Sequence, residues 1–437
     1  MDWLYTFIAL IGSVIALGAI GVPVAFAFLL VNFGAAFLLM GGLAGVQQVV
    51  SNASSSISIF SLVPVPMFML MGELFFRTGL APRVFDALDK LLGRIPGRLS
   101  FLTVGGGTLF AALSGSSLAN TAMMGSLLVP NMVARQYKPK MIMGPIMGAG
   151  ALAVLIPPSG LTVLYGSLSN IDIGSLLIAG VGPGLLMAVL YCVVIILQMW
   201  FDPEAAPAYA EAREPLASRL WFAAQNVLPM GVVIFAVIGL ILLGVATPTE
   251  ASAFGALSVI GLAAVYRRLT INVVVKSLMG AMRSTSMLLL ILLSSTTFAQ
   301  VMAFSGASSQ MVSFAMSFDL APFTILIMML LVLLILGMFM DQISMMMLTL
   351  PIYLPIANTL GFDMIWFGMM QLIVIELGML TPPFGLLLFV MMGSAPAGTT
   401  FGSVVKSVVP YVVVQIIVVA LIMFIPPIAT GLPSLMR

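Results

Sequence analysis

The sequence predicts an all-α polytopic membrane protein built as inverted repeats, with two re-entrant helical hairpins and broken helices. Three observations predict it. Of 437 residues, 62% are hydrophobic and only 7% are charged, whereas a soluble domain carries roughly 25% charged residues. Two distant segments share a double-proline motif and its surroundings at one fixed spacing. The basic residues are gathered into a few clusters.

Composition sets the class. A single soluble core stops growing at roughly 250–300 residues, so lipid must be the solvent for much of this apolar surface. The net charge of +2 is too small to suggest nucleic-acid binding. There is no histidine, and the one cysteine, Cys192, lies in an apolar run. A disulfide within the chain is therefore impossible, a His/Cys metal site is not expected, and any bound cation must be held by oxygen. The 35 methionines, including Met345-Met346-Met347, suit adaptable apolar packing; a soft-metal pore would want Met beside Cys or His.

A helix needs about 20 apolar residues to cross the hydrocarbon. Candidate spans are 3–21, 24–42, 59–76, 141–157, 175–200, 224–245, 253–266, 285–302, 364–380 and 404–427. The segment from Met1 to Gly42 lacks a basic leader, and its apolar stretch is too long for a signal peptide; two spans joined near Gly21-Val22-Pro23 fit it. Residues 99–134 and 322–358 are each too long for one span and lack a loop for two. Residues 43–58, with Gln47, Gln48, Ser51 and Asn52, suggest an interfacial helix or loop. Arg77 to Arg94 suits an amphipathic surface helix, with Val84, Leu88, Leu91 and Leu92 on one face.

Charge placement sorts the two broken stretches. The clusters are Arg77 to Arg98, Arg135 to Lys140, Arg213 with Arg219, and Arg267 to Arg283, with Lys406 alone. Positive loops are cytoplasmic. Residues 99–134 begin and end beside basic flanks, as expected of a hairpin that dips in from the cytoplasm and returns. The second stretch is flanked by Asp319 and Asp363 and is expected to enter from the opposite face. Both termini then lie outside the cytoplasm. The polar stretch 201–221, with Glu204, Glu211, Arg213 and Glu214, is the cytoplasmic linker.

Internal repetition supports this plan. Leu155-Ile156-Pro157-Pro158-Ser159-Gly160-Leu161 resembles Leu380-Thr381-Pro382-Pro383-Phe384-Gly385-Leu386, a shift of 225 positions. The same shift carries Pro130 onto Pro355, Tyr137 onto Phe362, and Ser114-Gly115-Ser116-Ser117 onto Phe339-Met340-Asp341-Gln342. Opposite charge flanks on the two halves make this an inverted-topology repeat, a recurrent plan of secondary transporters.

The hairpin tips and double-proline breaks are where chemistry is expected, because irregular backbone within a membrane must line a protein cavity. A helix starting after Ser114 to Ser117 offers free N–H groups to an anion. Proline at 157 and 158 cannot donate to the preceding turn, and freed carbonyls with serine hydroxyls make an oxygen cage for a hard cation. Gly337, Gly378 and Thr381 repeat this in the second half. The bland alternative is that small residues at the tips only allow close helix packing. Embedded carboxylates are costly and usually functional. Asp341 sits at the second tip and Glu250 near a span end. Glu376 stands one turn before Thr381 and is read as paired with a polar neighbour or as a proton carrier. Glu73 is spaced to pair with Arg77. A substrate anion between tips and breaks would contact Ser116, Asn120 and the backbone at Ser159, or else Asp341 and Gln342. Neither tip nor break holds Arg or Lys.

These residues resemble a known family. The Ser114-Gly115-Ser116-Ser117 tip, Ile156-Pro157-Pro158-Ser159, Thr247-Pro248-Thr249-Glu250-Ala251, Thr381-Pro382-Pro383 and the run from Gly72 to Leu80 are similar to the large permease (DctM-type) subunit of TRAP transporters. The similarity spans nearly the whole chain in order. It departs at Leu118-Ala119-Asn120-Thr121, where the family often has Pro then Ala-Thr, and at Ala151 and Ala153, where small residues are often Gly. The resemblance implies a bacterial inner-membrane protein and a sodium-driven symporter of a small organic anion. It implies partnership with a small four-helix membrane subunit and with a periplasmic substrate-binding protein. It implies an elevator motion of a hairpin-bearing domain. It implies two sodium sites, one at Ser114 and Ser117 with carbonyls near Ala153, Ile156 and Pro157, and one at Gly337, Gly378, Thr381 and Phe384.

On that plan residues 1–76 are N-terminal scaffold helices and 77–98 an amphipathic arm. Residues 99–172 are the first transport repeat, and 173–302 are central scaffold helices. Residues 303–398 are the second transport repeat and 399–437 a C-terminal helix. The alternatives are a stand-alone sodium- or proton-coupled carboxylate transporter of similar hairpin architecture, a channel, and a membrane-embedded enzyme. The last would need a polar catalytic cluster, which scattered carboxylates without histidine do not supply. Sialic acid, C4-dicarboxylates, keto acids and sulfonates such as isethionate stay open as substrates.

Overall fold

The computed structural model describes residues 3–58, 60–93, 95–207, 215–318 and 320–436. Arg94, Glu211, Arg213, Glu214 and Asp319, used above as charge markers, lie outside the described residues. Helices α1 (Trp3–Ala19) and α2 (Val24–Leu39) are joined through Gly21, whose φ of 88° favours glycine. The polar stretch 43–58 is a helix, α3 (Leu43–Ile57), and its Asn52 donates to Gln300 at 3.1 Å. In α4 (Pro64–Arg77), Glu73 and Arg77 pair at 2.7 Å, as their four-residue spacing suggests. The arm helix is α5 (Leu80–Leu92); Val84, Phe85 and Ala87 are buried, whereas Leu91 is exposed.

Next come a helical hairpin, α6 (Arg98–Ser114) and α7 (Ser117–Ala134), and a broken helix. Its first part, α8 (Pro139–Ala151), tightens into a 3-10 turn over Leu152–Val154. Its second part is α9 (Gly160–Ser169). The long α10 (Ile173–Phe201) starts at Asp172, which accepts from the Ser175 N–H at 2.6 Å. Helix α11 (Leu216–Ile234) passes through a π-helical segment, Phe235–Gly239, into α12 (Leu240–Leu242).

The Thr247-to-Ala251 motif proves to be a capping box at the start of α13 (Pro248–Val265), with Thr247 N–H donating to Glu250 at 2.8 Å. Helix α14 (Ile271–Phe304) runs for 34 residues from its Thr270 cap, so the span expected at 285–302 is only its second part. A short α15 (Ala307–Met316) leads to the second hairpin, α16 (Pro322–Gly337) and α17 (Gln342–Thr359). A second broken helix, α18 (Met364–Met379) and α19 (Leu386–Ser394), precedes α20 (Phe401–Phe424) and α21 (Pro427–Ser434). The described residues contain no strand. The 225-residue shift carries Ser117, first of α7, onto Gln342, first of α17, and Pro139, first of α8, onto Met364, first of α18.

The packing can be followed through two sets of helices that share one buried core. In one, α8 packs on α6, α7 and α20, α10 on α9, α18, α20 and α21, and α16 on α17 and α18. In the other, α14 packs on α2, α3 and α4, α13 on α4, and α11 on α5. They meet where α4 touches α6 and α9, α5 touches α6, and α14 and α15 touch α17. Helices α10 and α20, on the far sides of the expected boundaries at 173 and 399, pack against the hairpins and broken helices. Their buried faces meet through the Tyr191 and Tyr411 rings, 5.1 Å apart, and through Gln415 donating to the Tyr191 hydroxyl at 3.0 Å.

Five helical stretches are long and apolar enough to cross a bilayer: α10, residues 217–242, α13, α14 and α20. The sequence suggested ten spans. Helices α8, α16 and α18 are apolar but shorter, each stopping at a double-proline break or a hairpin tip. The chain leaving α10 is docked on the hairpin set. Ala205 accepts from the Lys138 N–H at 2.9 Å, and Asp202 accepts from Lys138 and Lys140 at 2.8 and 2.9 Å. These two ammonium groups hold the Asp202 carboxyl below its ordinary value.

Candidate functional site

At the first tip, α6 ends on Ser114, Gly115 turns left-handed at φ 59°, and Ser116 is extended and caps α7 by accepting from the Ala119 N–H. The tip lies on the first break: a Cβ on Gly115 would stand 3.1 Å from the Pro158 carbonyl oxygen and 3.2 Å from the Gly160 nitrogen. Only glycine meets both demands. Past α8 the chain leaves the helix at Leu155 to Pro158, and Ser159 restarts it, accepting from the Thr162 N–H at 3.3 Å. The Thr162 hydroxyl donates to the Val154 carbonyl at 2.8 Å, strapping the break from inside.

This set fits a hard monovalent cation. Ser114 is nearly buried and Ser117 is 1% exposed. The Ser117 hydroxyl has no hydrogen-bond partner, and a buried polar group without one is costly. Ala153 and Ile156 are buried, and no backbone N–H among the described residues reaches the Ile156 or Pro157 carbonyl. The donors are all oxygen, and no cluster of three His, Cys, Asp or Glu exists among the described residues to suggest another metal.

The second tip and break repeat the contact in a different chemical form. Gly385 N–H donates to the Met338 carbonyl at 3.3 Å, joining break to tip. Gly337 and Gly378 pack backbone on backbone; a Cβ on Gly337 would lie 2.7 Å from the Gly378 Cα. The Thr381 hydroxyl donates to the Leu377 carbonyl at 2.7 Å, which leaves its lone pairs free. Phe384 is exposed, its ring 5.7 Å from that of Phe339. Asp341 caps α17, accepting from the Ile343 and Ser344 N–H groups and the Ser344 hydroxyl. Gln342 donates to Glu376, so that carboxylate has a polar neighbour across the second tip.

The structure sets the first tip, at Gly115, against Pro158, Ser159 and Gly160 of the first break, and sets Gly337 against Gly378, whose carbonyl accepts from the Thr381 N–H at 3.1 Å. Asn120 departs from the sequence expectation of a cavity wall. It is fully buried, and its amide donates to Gly107 at 3.3 Å and Ala149 at 3.2 Å, tying α6 to α8. Ser159 is likewise fully buried. Only Ser116 of the first substrate group is partly open to solvent. Sequence reasoning missed the Tyr165–Gln371 hydrogen bond, 2.8 Å long and fully buried, which joins α9 to α18. It also missed a cavity of about 740 Å³ between the two sets of helices, lined by Asn170, Asp172, Thr249, Ser295, Gln300 and Leu354.

The chain is all-helical, with several helices long and apolar enough to cross a membrane, and its family is one of membrane transporters, not enzymes. Residues 11–428 match the family described as tripartite ATP-independent periplasmic transporter, DctM component, and the chain belongs to that family. It is 33% identical to the C4-dicarboxylate TRAP transporter large permease protein DctM of Pseudomonas aeruginosa, over 86% of each chain. It is 29% identical to the sialic acid TRAP transporter large permease protein SiaM of Vibrio cholerae, over 95% of each. It is also 29% identical to the isethionate TRAP transporter permease protein DctMQ of Oleidesulfovibrio alaskensis, over 94% of this chain and 63% of that one. Among solved structures, the YdaH transporter of Alcanivorax borkumensis superposes with a TM-score of 0.64 at 12% identity, over 93% of this chain and 98% of that one. MtrF of Neisseria gonorrhoeae gives 0.61 at 14% identity, over 86% and 84%. These two likenesses concern the fold alone.

Proposed function

We propose that the chain is the large subunit of a bacterial inner-membrane symporter that carries a small organic anion, carboxylate or sulfonate, into the cytoplasm on a sodium gradient. The buried, unpartnered Ser117 hydroxyl beside the freed carbonyls of the first break carries this reading, because an oxygen cage without Arg or Lys suits a hard cation. One sodium would be held at Ser114, Ser117, Ala153, Ile156 and Pro157, and a second at Gly337, Gly378, Thr381 and Phe384. The ions supply positive charge that the tips lack, so sodium raises affinity for an anion, and linkage requires the reverse. The anion would lie between the tips near Ser116 and the α7 N-terminus, with Asp341, Gln342 and the Asn120 and Ser159 layer behind it. The hairpins are re-entrant from opposite faces, and the hairpin body moves as an elevator against the α4–α14 body. A small four-helix membrane subunit and a periplasmic binding protein complete the system, consistent with relatives named for dicarboxylate, sialic acid and isethionate.

Uptake into proteoliposomes holding the chain and its co-expressed small subunit, fed by the binding protein with a panel of anions, tests this. Uptake is expected only with a sodium gradient and is expected to fall in Ser114→Ala and Thr381→Val. Uptake driven by a pH gradient without sodium would sink the sodium reading and favour the proton-coupled alternative. Orientation has its own check. In a Cys192→Ala background, cysteines at Glu204 and Ser434, both exposed, should label from opposite sides of the membrane. Labelling from one side would refute the inverted arrangement.

A further inference from the structure

We propose that Glu376 supplies a carboxylate oxygen to the cation site at the first tip, and that Gln342 holds it there from the second tip. The inference rests on the cation-site reading above. Glu376 is 2% exposed, on α18 ahead of the second break. Gln342 donates to its Oε2. Its Oε1 has no hydrogen-bond partner, and neither has the hydroxyl of Ser117. The Ser117 hydroxyl approaches the Glu376 carboxylate without closing a hydrogen bond of ordinary length and angle, so the two oxygens share one buried place.

A buried carboxylate is tolerated when it is paired or coordinates a metal. Among the described residues no basic side chain forms an ion pair with Glu376. A sodium ion held by the Ser117 hydroxyl and the break carbonyls would meet Oε1 and satisfy both oxygens at once. The arrangement joins elements 225 positions apart: Ser117 opens α7, Gln342 opens α17, and Glu376 stands between them. A cation at one tip would thus draw on a residue fixed by the other. That gives the second tip a physical hold on ion affinity at the first, carried by one side chain.

The test is thermal unfolding of the purified full chain, titrated with sodium chloride against choline chloride at constant ionic strength. The wild-type melting temperature is expected to rise with sodium. Glu376→Gln keeps the shape and an acceptor for Gln342 while removing the charge. It should raise the sodium midpoint about tenfold or more, since a unit charge near an ion in a low-dielectric site is worth at least that factor. Gln342→Ala, at the opposite tip, should shift the midpoint in the same direction by a smaller factor. A purely structural Glu376 would lower the sodium-free melting temperature and leave the midpoint unmoved, which overturns the inference. A wild type indifferent to sodium overturns the cation site itself and this inference with it. Should Glu376→Gln not fold, Gln342→Ala decides, and an unmoved midpoint there refutes the proposal.

Discussion

Gly337→Ala is expected to reduce transport to background. The added methyl would lie 2.7 Å from the Cα of Gly378 and 3.0 Å from the Met345 sulfur. The first of these is a backbone atom of a buried helix and cannot rotate aside. Helices α16 and α18 would have to separate at the second tip, where Gly378, Thr381 and the tip carbonyls converge. Overpacking of this kind costs about 1–3 kcal/mol, and here the displacement falls on the second proposed cation site. Gly105→Ala is the matched control: its Cβ meets nothing within 4 Å, and alanine favours a helix over glycine. Uptake and melting temperature measured together decide the matter. Full uptake by Gly337→Ala would mean that close approach of the two helices is not needed.

The second large effect is expected at the base of the first hairpin. Arg98 is 1% exposed and donates to both carboxylate oxygens of Asp89, one at 2.5 Å, and to the Gly93 carbonyl at 2.7 Å. Asp89→Ala removes the carboxylate that offsets a buried guanidinium. Losing one partner of a buried pair costs about 3–5 kcal/mol, far more than a surface pair. The melting temperature of Asp89→Ala should fall clearly below that of Glu73→Ala, which breaks the more exposed pair with Arg77. Equal losses in the two variants would show that burial of Arg98 contributes nothing.

The tips and breaks were legible in the sequence because they are backbone features written in residue type. Serine and glycine at 114–117 and paired prolines at 157–158 and 382–383 announce interruptions wherever they fall in an apolar run. The Glu73–Arg77 pair was legible because helical spacing alone sets it. The assignment of α10 and α20 was not. In a chain apolar on every side, no stripe distinguishes the face turned to protein from the face turned to lipid. Helix α18 is buried all round from Trp366 to Met379, yet its sequence reads like any lipid-facing span. The contacts of Asn120 were not legible for a related reason: one turn inside a helix, proximity to the tip in sequence says nothing of which neighbour its amide meets. The Gln342–Glu376 and Tyr165–Gln371 pairs join residues on separate helices, and only packing brings them together.

The covalent connections between the two sets of helices limit how far they can part. The chain crosses from α5 to α6 through residues 93–97, from α10 to α11 through 202–215, and from α15 to α16 through 317–321. The two five-residue crossings reach at most about 18 Å fully extended, so neither of them is a slack rope. The first is shorter still in practice, because Arg98 is bound to the Gly93 carbonyl and to Asp89 on α5, closing the loop on itself. In the elevator proposed above, α5 would travel with the hairpin as a single lever while that clasp holds, and the movement would be taken up where α5 rests on α11. With the clasp open, the full length of this tether would be released and α5 could stay behind. Arg98, at one edge of the bundle and away from the proposed ion sites, would then set how far this crossing lets the hairpin go.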